Sequence, residues 1–205
     1  MPVPPFPFRN TPDGIVRKFF HQKYRRIFDK VALQVRRSPR RQTGKWKTNR
    51  ECRWKLTRKH PDYTSRKQIP LIEAKLFAMA LEFDGAPEVP AEVRDAAAAV
   101  LGKALEPGAY RCPVSGRQLS FAQMRAEAAE PKHGRSSFHV GHVRPKAMGG
   151  QNTADNTYWT SDLGNRIQGD KSWADTVKAI IEMAEFQRVR HGNIAWGELV
   201  NRYLG

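Results

Sequence analysis

Cysteine is almost missing from this chain. Cys52 and Cys112 are its only two, 60 positions apart in 205 residues. That excludes a disulfide framework and any four-cysteine zinc site. Long apolar runs are missing too: no stretch approaches the ~18 residues of a membrane span. The opening MPVPPFPFRN is proline-rich and lacks the charged-then-apolar order of a secretory leader. These absences point to a bacterial or phage cytoplasmic protein with no membrane association. No internal repeat of solenoid length is present. With 40% hydrophobic residues the chain can bury a real core, as one domain with a large extension or as two small ones.

Acidic residues are scarce in one place. Residues 1–70 hold 20 Lys and Arg against 4 Asp and Glu, so the whole net charge of +16 sits there and residues 71–205 are balanced. Such asymmetry predicts a polyanionic partner, nucleic acid first. The densest part, RRQTGKWKTNRECRWKLTRKH over 40–60, interleaves Trp46 and Trp54 with Lys45, Lys47, Arg53 and Lys55. Arg36, Arg37, Arg40 and Arg41 precede it. These cations can meet phosphates while the tryptophans pack on sugars or bases, or else form the core of a small hairpin.

Helical periodicity over about 12–37, with Thr11 as cap and Pro12 at the first position, predicts a helix ended by Ser38-Pro39. Residues 1–69 therefore read as a basic DNA-binding region. Residues 70–108 read as a helical connector, with helices over about 70–84 and 90–105. AYRCPVSGRQLSF (109–121) predicts a hairpin, Ser120 caps a helix to about Glu130, and FHVGHV and TYWT read as strands. SDLGNRIQG opens a helix that breaks near Gly169. Ser172 and Asp175 form a capping box before a long helix, and IAWGELVNRYL closes the chain as another.

Residues suited to chemistry lie in the C-terminal half. His142, Asn156 and Asn165 occur in that order at spacings of 14 and 9. A neutral imidazole can deprotonate water near physiological pH. An amide oxygen suits a hard divalent cation, which can polarise a phosphodiester. Arg144, Arg166 and Lys171 can hold phosphate oxygens. Each residue alone has an ordinary structural reading, as strand packing, turn or helix cap; the combination is what is specific.

The wider pattern GH…P…GG.N…DN.YW.S..GNRIQG resembles the HNH, or ββα-metal, endonucleases, most of all HNH-type restriction endonucleases. The likeness covers about residues 109–175 and says little about residues 1–70. It implies an α+β fold, mostly helical around a ββα-metal motif, with the basic region as an N-terminal extension and residues 109–205 as the nuclease domain. It further implies Mg²⁺ or Mn²⁺, double-stranded DNA as partner, and a homodimer if both strands are cut. His142 would be the general base, Asn165 a metal ligand, Arg166 a phosphate contact, and Asn156 the residue that pins the loop and orients His142. Other readings are a phage or mobile-element nickase, a defence-system nuclease subunit, or a non-catalytic nucleic-acid-binding protein on a decayed HNH scaffold. Two departures stand out. Many HNH nucleases carry a metal-binding Asp or His just before the base, where this chain has Gly141. His139, two residues earlier and on the same face of a strand, is the candidate replacement, unless it serves strand packing; Asp162, one helical turn before Asn165, is a second. Many also carry CxxC pairs, whereas Cys112-Pro-Val-Ser115 has Ser115 where the second cysteine would stand, so no structural zinc is expected.

Overall fold

The computed structural model describes residues 6–41, 50–131, 136–190 and 195. Thr11 and Pro12 open helix α1 (Pro12–Lys23), as the sequence predicts. The single helix expected to about residue 37 is instead two, because Tyr24 leaves the helical region (φ −130°, ψ 52°) before α2 (Arg25–Arg36). Neither proline nor glycine causes this break. The Tyr24 ring packs edge-on against Phe121 at 5.1 Å and beside Phe20 at 5.7 Å. Burying that ring outweighs helical continuity, and the bend lets both helices pack on α3 (Gln68–Ala80).

α3 is the central element. Phe77 stacks on Phe20 of α1 at 4.5 Å and on Phe28 of α2 at 5.5 Å. Glu73, fully buried, accepts from Arg17 Nε at 2.8 Å and from Arg36 Nε at 2.5 Å. Arg17 also donates to the carbonyls of Phe6 and Pro7, which straps the extended N-terminal segment down. α3 ends at Ala80, earlier than the sequence suggests, because residues 82–84 turn to pair with 109–120. Tyr110 donates its N–H to Glu82 O, and Asp84 donates its own to Leu119 O. α4 (Ala91–Leu101) packs on α1 and α3 and stops at Gly102 in the left-handed region (φ 72°).

Between α2 and α3 runs the basic segment. Strands β1 (Arg37–Arg41) and β2 (Arg50–Cys52) pair antiparallel, and a 3₁₀ turn over Arg53–Lys55 follows. Ser120 caps α5 (Phe121–Ala129) by accepting from Gln123 N. Next come β3 (Phe138–His142) and β4 (Thr157–Ser161), antiparallel in continuous register with Gly141 opposite Tyr158. α6 (Asp162–Gln168) and α7 (Trp173–Arg190) complete the described chain. Ser172 bonds both the side chain and the backbone N–H of Asp175, the expected cap of α7. The expected final helix, and Lys45, Trp46 and Lys47, lie outside the described residues.

The two-stranded sheet docks on α3 through Trp159, whose Nε1 donates to Leu76 O at 2.8 Å. Phe83 stacks on Phe138 at 5.9 Å beneath it. The three regions read from the sequence therefore share one hydrophobic core running from Phe6 to Trp159. The fold is α+β, about half helical, with two small two-stranded sheets. Among the described residues no helix is long and apolar enough to cross a membrane. The pair Cys112 and Ser115 is held by hydrogen bonds at the base of α6. Ser115 Oγ lies 2.8 Å from Ser161 Oγ, and the Cys112 thiol lies 3.4 Å from Thr160 Oγ1. Burial would push that thiol up, but hydrogen bonds from Ser115, Ser161 and Thr160 prevail and lower it to about 6.

Because Glu73 pairs with two inward-facing guanidinium groups, Glu73→Ala strands both of them. Truncating one partner of such a buried cluster costs about 3–5 kcal/mol. Urea denaturation should register that loss; a midpoint within error of the wild type would show that the cluster does not hold α1 and α2 to α3.

Candidate active site

Strand alternation puts Phe138, Val140 and His142 on the face of β3 that looks toward α3, and His139 and Gly141 on the other. His142 closes a cavity of about 260 Å³ between the sheet and the N-terminal helices. One wall comes from Gln34 and Val35 of α2, Arg37, Arg53 and Thr64 of the basic segment, and Ile72 of α3. The other holds His139, Val140 and His142 with Lys146, Asn152, Thr157 and Asn165. The structure thus brings together His139, His142 and Asn165 with the basic residues Arg37 and Arg53.

His142 Nε2 lies 2.8 Å from Asn152 Oδ1, while Asn152 Nδ2 donates to Tyr63 O at 3.2 Å. The carbonyl of Tyr63 can only accept, so the amide group of Asn152 must face it and the amide oxygen must face the imidazole. His142 Nε2 therefore carries the proton, and in the neutral ring the basic lone pair is on Nδ1. Burial holds the His142 pKa below the ordinary imidazole value. Lys146 and Arg53 push the same way, while the Asn152 hydrogen bond and Asp62 oppose them.

Asn156 does not touch this ring through any of its hydrogen bonds. Its Oδ1 accepts from Arg144 N at 2.7 Å, and its Nδ2 donates to Arg144 O and Gln151 O. The side chain acts as a backbone mimic that clamps residues 144–151. The same loop needs Gly150, where a Cβ would fall 1.9 Å from Arg144 O. Asn152 is the residue that sequence reasoning missed. Its signal was present as the N of GG.N, but nothing local told it apart from a turn asparagine.

Gly141 has a steric cause. A Cβ there would lie 2.7 Å from Cζ of Tyr158, its cross-strand neighbour. That ring is fixed on both sides: its hydroxyl donates to Gln168 Oε1, and Trp173 meets it edge-on at 4.9 Å. Gln168 Nε2 in turn donates to His142 O at 2.8 Å. His139 Nε2 is buried without a hydrogen-bond partner and stands 3.6 Å from Asp162 Oδ1. Asp162 is bound by Arg166, whose Nη2 lies 2.6 Å from Oδ2. Arg166, read from sequence as a phosphate contact, is here an exposed ion-pair partner of Asp162.

The other basic candidates divide. Arg36 spends its guanidinium on Glu73 and lies over the rings of Phe6 and Phe28, so it is part of the packing. Trp54 meets Phe6 edge-on at 5.2 Å and is likewise core-facing. Arg53 is half-buried, donating to Gln34 O and Asp62 O. Asp62, buried, also holds Lys146 Nζ at 2.7 Å and Ser38 Oγ at 2.9 Å. Arg37, Lys55, Arg144 and Lys171 are exposed. Arg40 and Arg41 lie on β1, with side chains outside the described set.

No protein-family model matches the sequence, and no curated protein matches it. Among solved structures, the fold is similar to the crystal structure of a type II restriction endonuclease, with a TM-score of 0.62 at 14% identity over 86% of this chain and 82% of that one. At that identity the likeness is one of fold.

Gly141→Ala should destabilise the protein by about 1–3 kcal/mol, the cost of overpacking a site whose neighbour cannot move. Thermal unfolding measures this, and an unchanged midpoint would mean that the Tyr158 ring swings aside at no cost.

Proposed function

We propose that the protein is a metal-dependent DNA endonuclease of the HNH type, and within that class a restriction endonuclease. The observation that carries this is the His142–Asn152–Tyr63 chain at a cavity with a basic rim. It leaves one imidazole nitrogen as a neutral base of defined tautomer. The similarity of fold to a type II restriction endonuclease supports the same reading.

His142 Nδ1 takes the proton from a water that attacks phosphorus. Its lowered pKa keeps it neutral, and so competent, into mildly acidic solution. Asn152 holds the ring, and Asn156 holds the loop beneath it. Arg37, exposed at the mouth of the cavity, offsets phosphate charge. Among the described residues no three His, Cys, Asp or Glu side chains form a metal-sized cluster. His139, Asp162 and Asn165 are the residues that would hold a hard divalent ion: the His139 Nε2, without a hydrogen-bond partner, lies 3.6 Å from Asp162 Oδ1, and His139 and Asn165 line one cavity. Mg²⁺ or Mn²⁺ held there would polarise the phosphate and stabilise the leaving oxygen. Two copies would be needed to cut both strands, one strand per site. A second reading, a DNA-binding protein without catalysis, draws on Tyr158 filling the space where a ligand at position 141 would stand.

Plasmid DNA incubated with Mg²⁺ should be cut by the wild type and left intact by His142→Ala or by chelation. Discrete fragments mean a restriction enzyme and nicked circles a nickase. No metal-dependent cutting of any DNA would leave the binding reading. The acid limb of the rate–pH profile should fall below the ordinary imidazole value of about 6.5. Asn152→Asp puts a carboxylate on Nε2–H and favours the imidazolium, so the limb should move to higher pH. A limb that stays in place would remove Asn152 from the control of His142.

A further inference from the structure

Arg17, Arg36 and Arg53 are taken up inside the fold, so the place for a polyanion is set by cations that stay at the surface. One group of them meets where α1 gives way to α2. A notch of about 340 Å³ there is lined by Lys23, Arg25, Arg26 and Ile27, and by Arg125 of α5. Among the described residues no Asp or Glu lines it. Asp29 holds Arg25 at 2.9 Å. Lys23, Arg26 and Arg125 are exposed and make no ion pair among the described residues. Arg125 comes from the charge-balanced part of the chain, 99 positions after Arg26. The ion pair of Lys30 with Glu127, at 3.2 Å, ties α2 to α5 and so brings Arg125 to the notch. Gathering like charges is unfavourable unless a counter-charge meets them.

The notch shares a face of α2 with the His142 cavity. Ile27, Lys30 and Gln34 stand at i, i+3 and i+7, on one side of the helix. Ile27 lines the notch and Gln34 lines the cavity. Seven helical residues span about 10 Å. That is about three base pairs of B-form duplex, at ~3.4 Å each. A polyanion fits this layout better than a single phosphate, because unpaired cations stand at the notch and Arg37 lies exposed at the other end of α2. Resting on the nuclease reading above, we propose that the notch is a second seat for the DNA backbone: while one phosphate lies in the cavity beside His142, phosphates a few base pairs away lie across Lys23, Arg26 and Arg125. Such a contact positions the duplex and reads no sequence.

The test is binding of a 20-base-pair duplex in chelator, without metal, across a range of salt concentrations. Arg26→Gln and Arg125→Gln should each lower the slope of log K against log salt by about 1, and the double variant by about 2. Arg94→Gln removes an equal charge from α4, which lines neither notch nor cavity, and should leave the slope unchanged. Because Arg26 and Arg125 are exposed and make no ion pair, both variants should keep the wild-type melting temperature, which separates lost binding from lost folding. A wild-type slope in the double variant overturns the seat. So does an equal loss in Arg94→Gln, which would mean that only net charge is being read. Metal-dependent plasmid cleavage, measured separately, reports on the nuclease reading. Cleavage by the wild type with unchanged slopes in the variants sinks only the seat, while lowered slopes without cleavage sink the nuclease and keep the seat.

Discussion

The buried carboxylate of Glu73 is the constraint on which the arrangement turns. A carboxylate removed from water is tolerated only when its charge is met and its lone pairs are filled. Arg17 and Arg36 do both, and they come from different helices. Each guanidinium then reaches further. Arg17 ties down the carbonyls of Phe6 and Pro7, while Arg36 covers the rings of Phe6 and Phe28. Phe6 in turn supports Trp54. One acid on α3 thereby fixes α1, the end of α2 and the start of the basic segment, and that segment forms one wall of the His142 cavity.

This changes the meaning of the charge in residues 1–70. Read as a sequence, the excess is a surface for a polyanion. In the fold, part of it is internal structure: Arg17, Arg36 and Arg53 are spent on Glu73, on Asp62 and on backbone carbonyls. The scarcity of acids in this region gives each one unusual weight. Asp62 alone links Ser38, Arg53 and Lys146, so it joins the basic segment to the loop that follows β3. Its neighbour Tyr63 supplies the carbonyl that orients Asn152. The basic segment is therefore part of the candidate site as well as a surface beside it.

What the sequence made legible was local. The Thr11-Pro12 start, the Ser120 cap, the Ser172–Asp175 box and the two strands all depend on neighbours within a few positions, and each is found where it was read. The break at Tyr24 was not legible, because its cause, Phe121, is 97 residues away. The early end of α3 depends likewise on pairing with 109–120. The site shows the same division. His142 and the clamp residue Asn156 stood out through spacing. The partner of His142 did not: Asn152 is oriented by Tyr63, 89 positions away, and no periodicity carries that information.

Gly141 shows how an apparent loss can be a packing consequence. On sequence alone the glycine removes a side chain at the position where the resemblance leads one to expect a ligand. In the fold the position is filled, because Tyr158 projects across it from β4. The ring belongs to a chain, Tyr158 to Gln168 to His142 O, that fastens the end of β3 to α6. The backbone of the candidate base is thus held from one side by Gln168, and its ring from the other by Asn152. A side chain at 141 would have to displace Tyr158 and with it that support. Glycine and tyrosine are therefore one paired choice. On the same face, one alternation earlier on the strand, the His139 imidazole nitrogen is buried without a hydrogen-bond partner, 3.6 Å from Asp162 Oδ1.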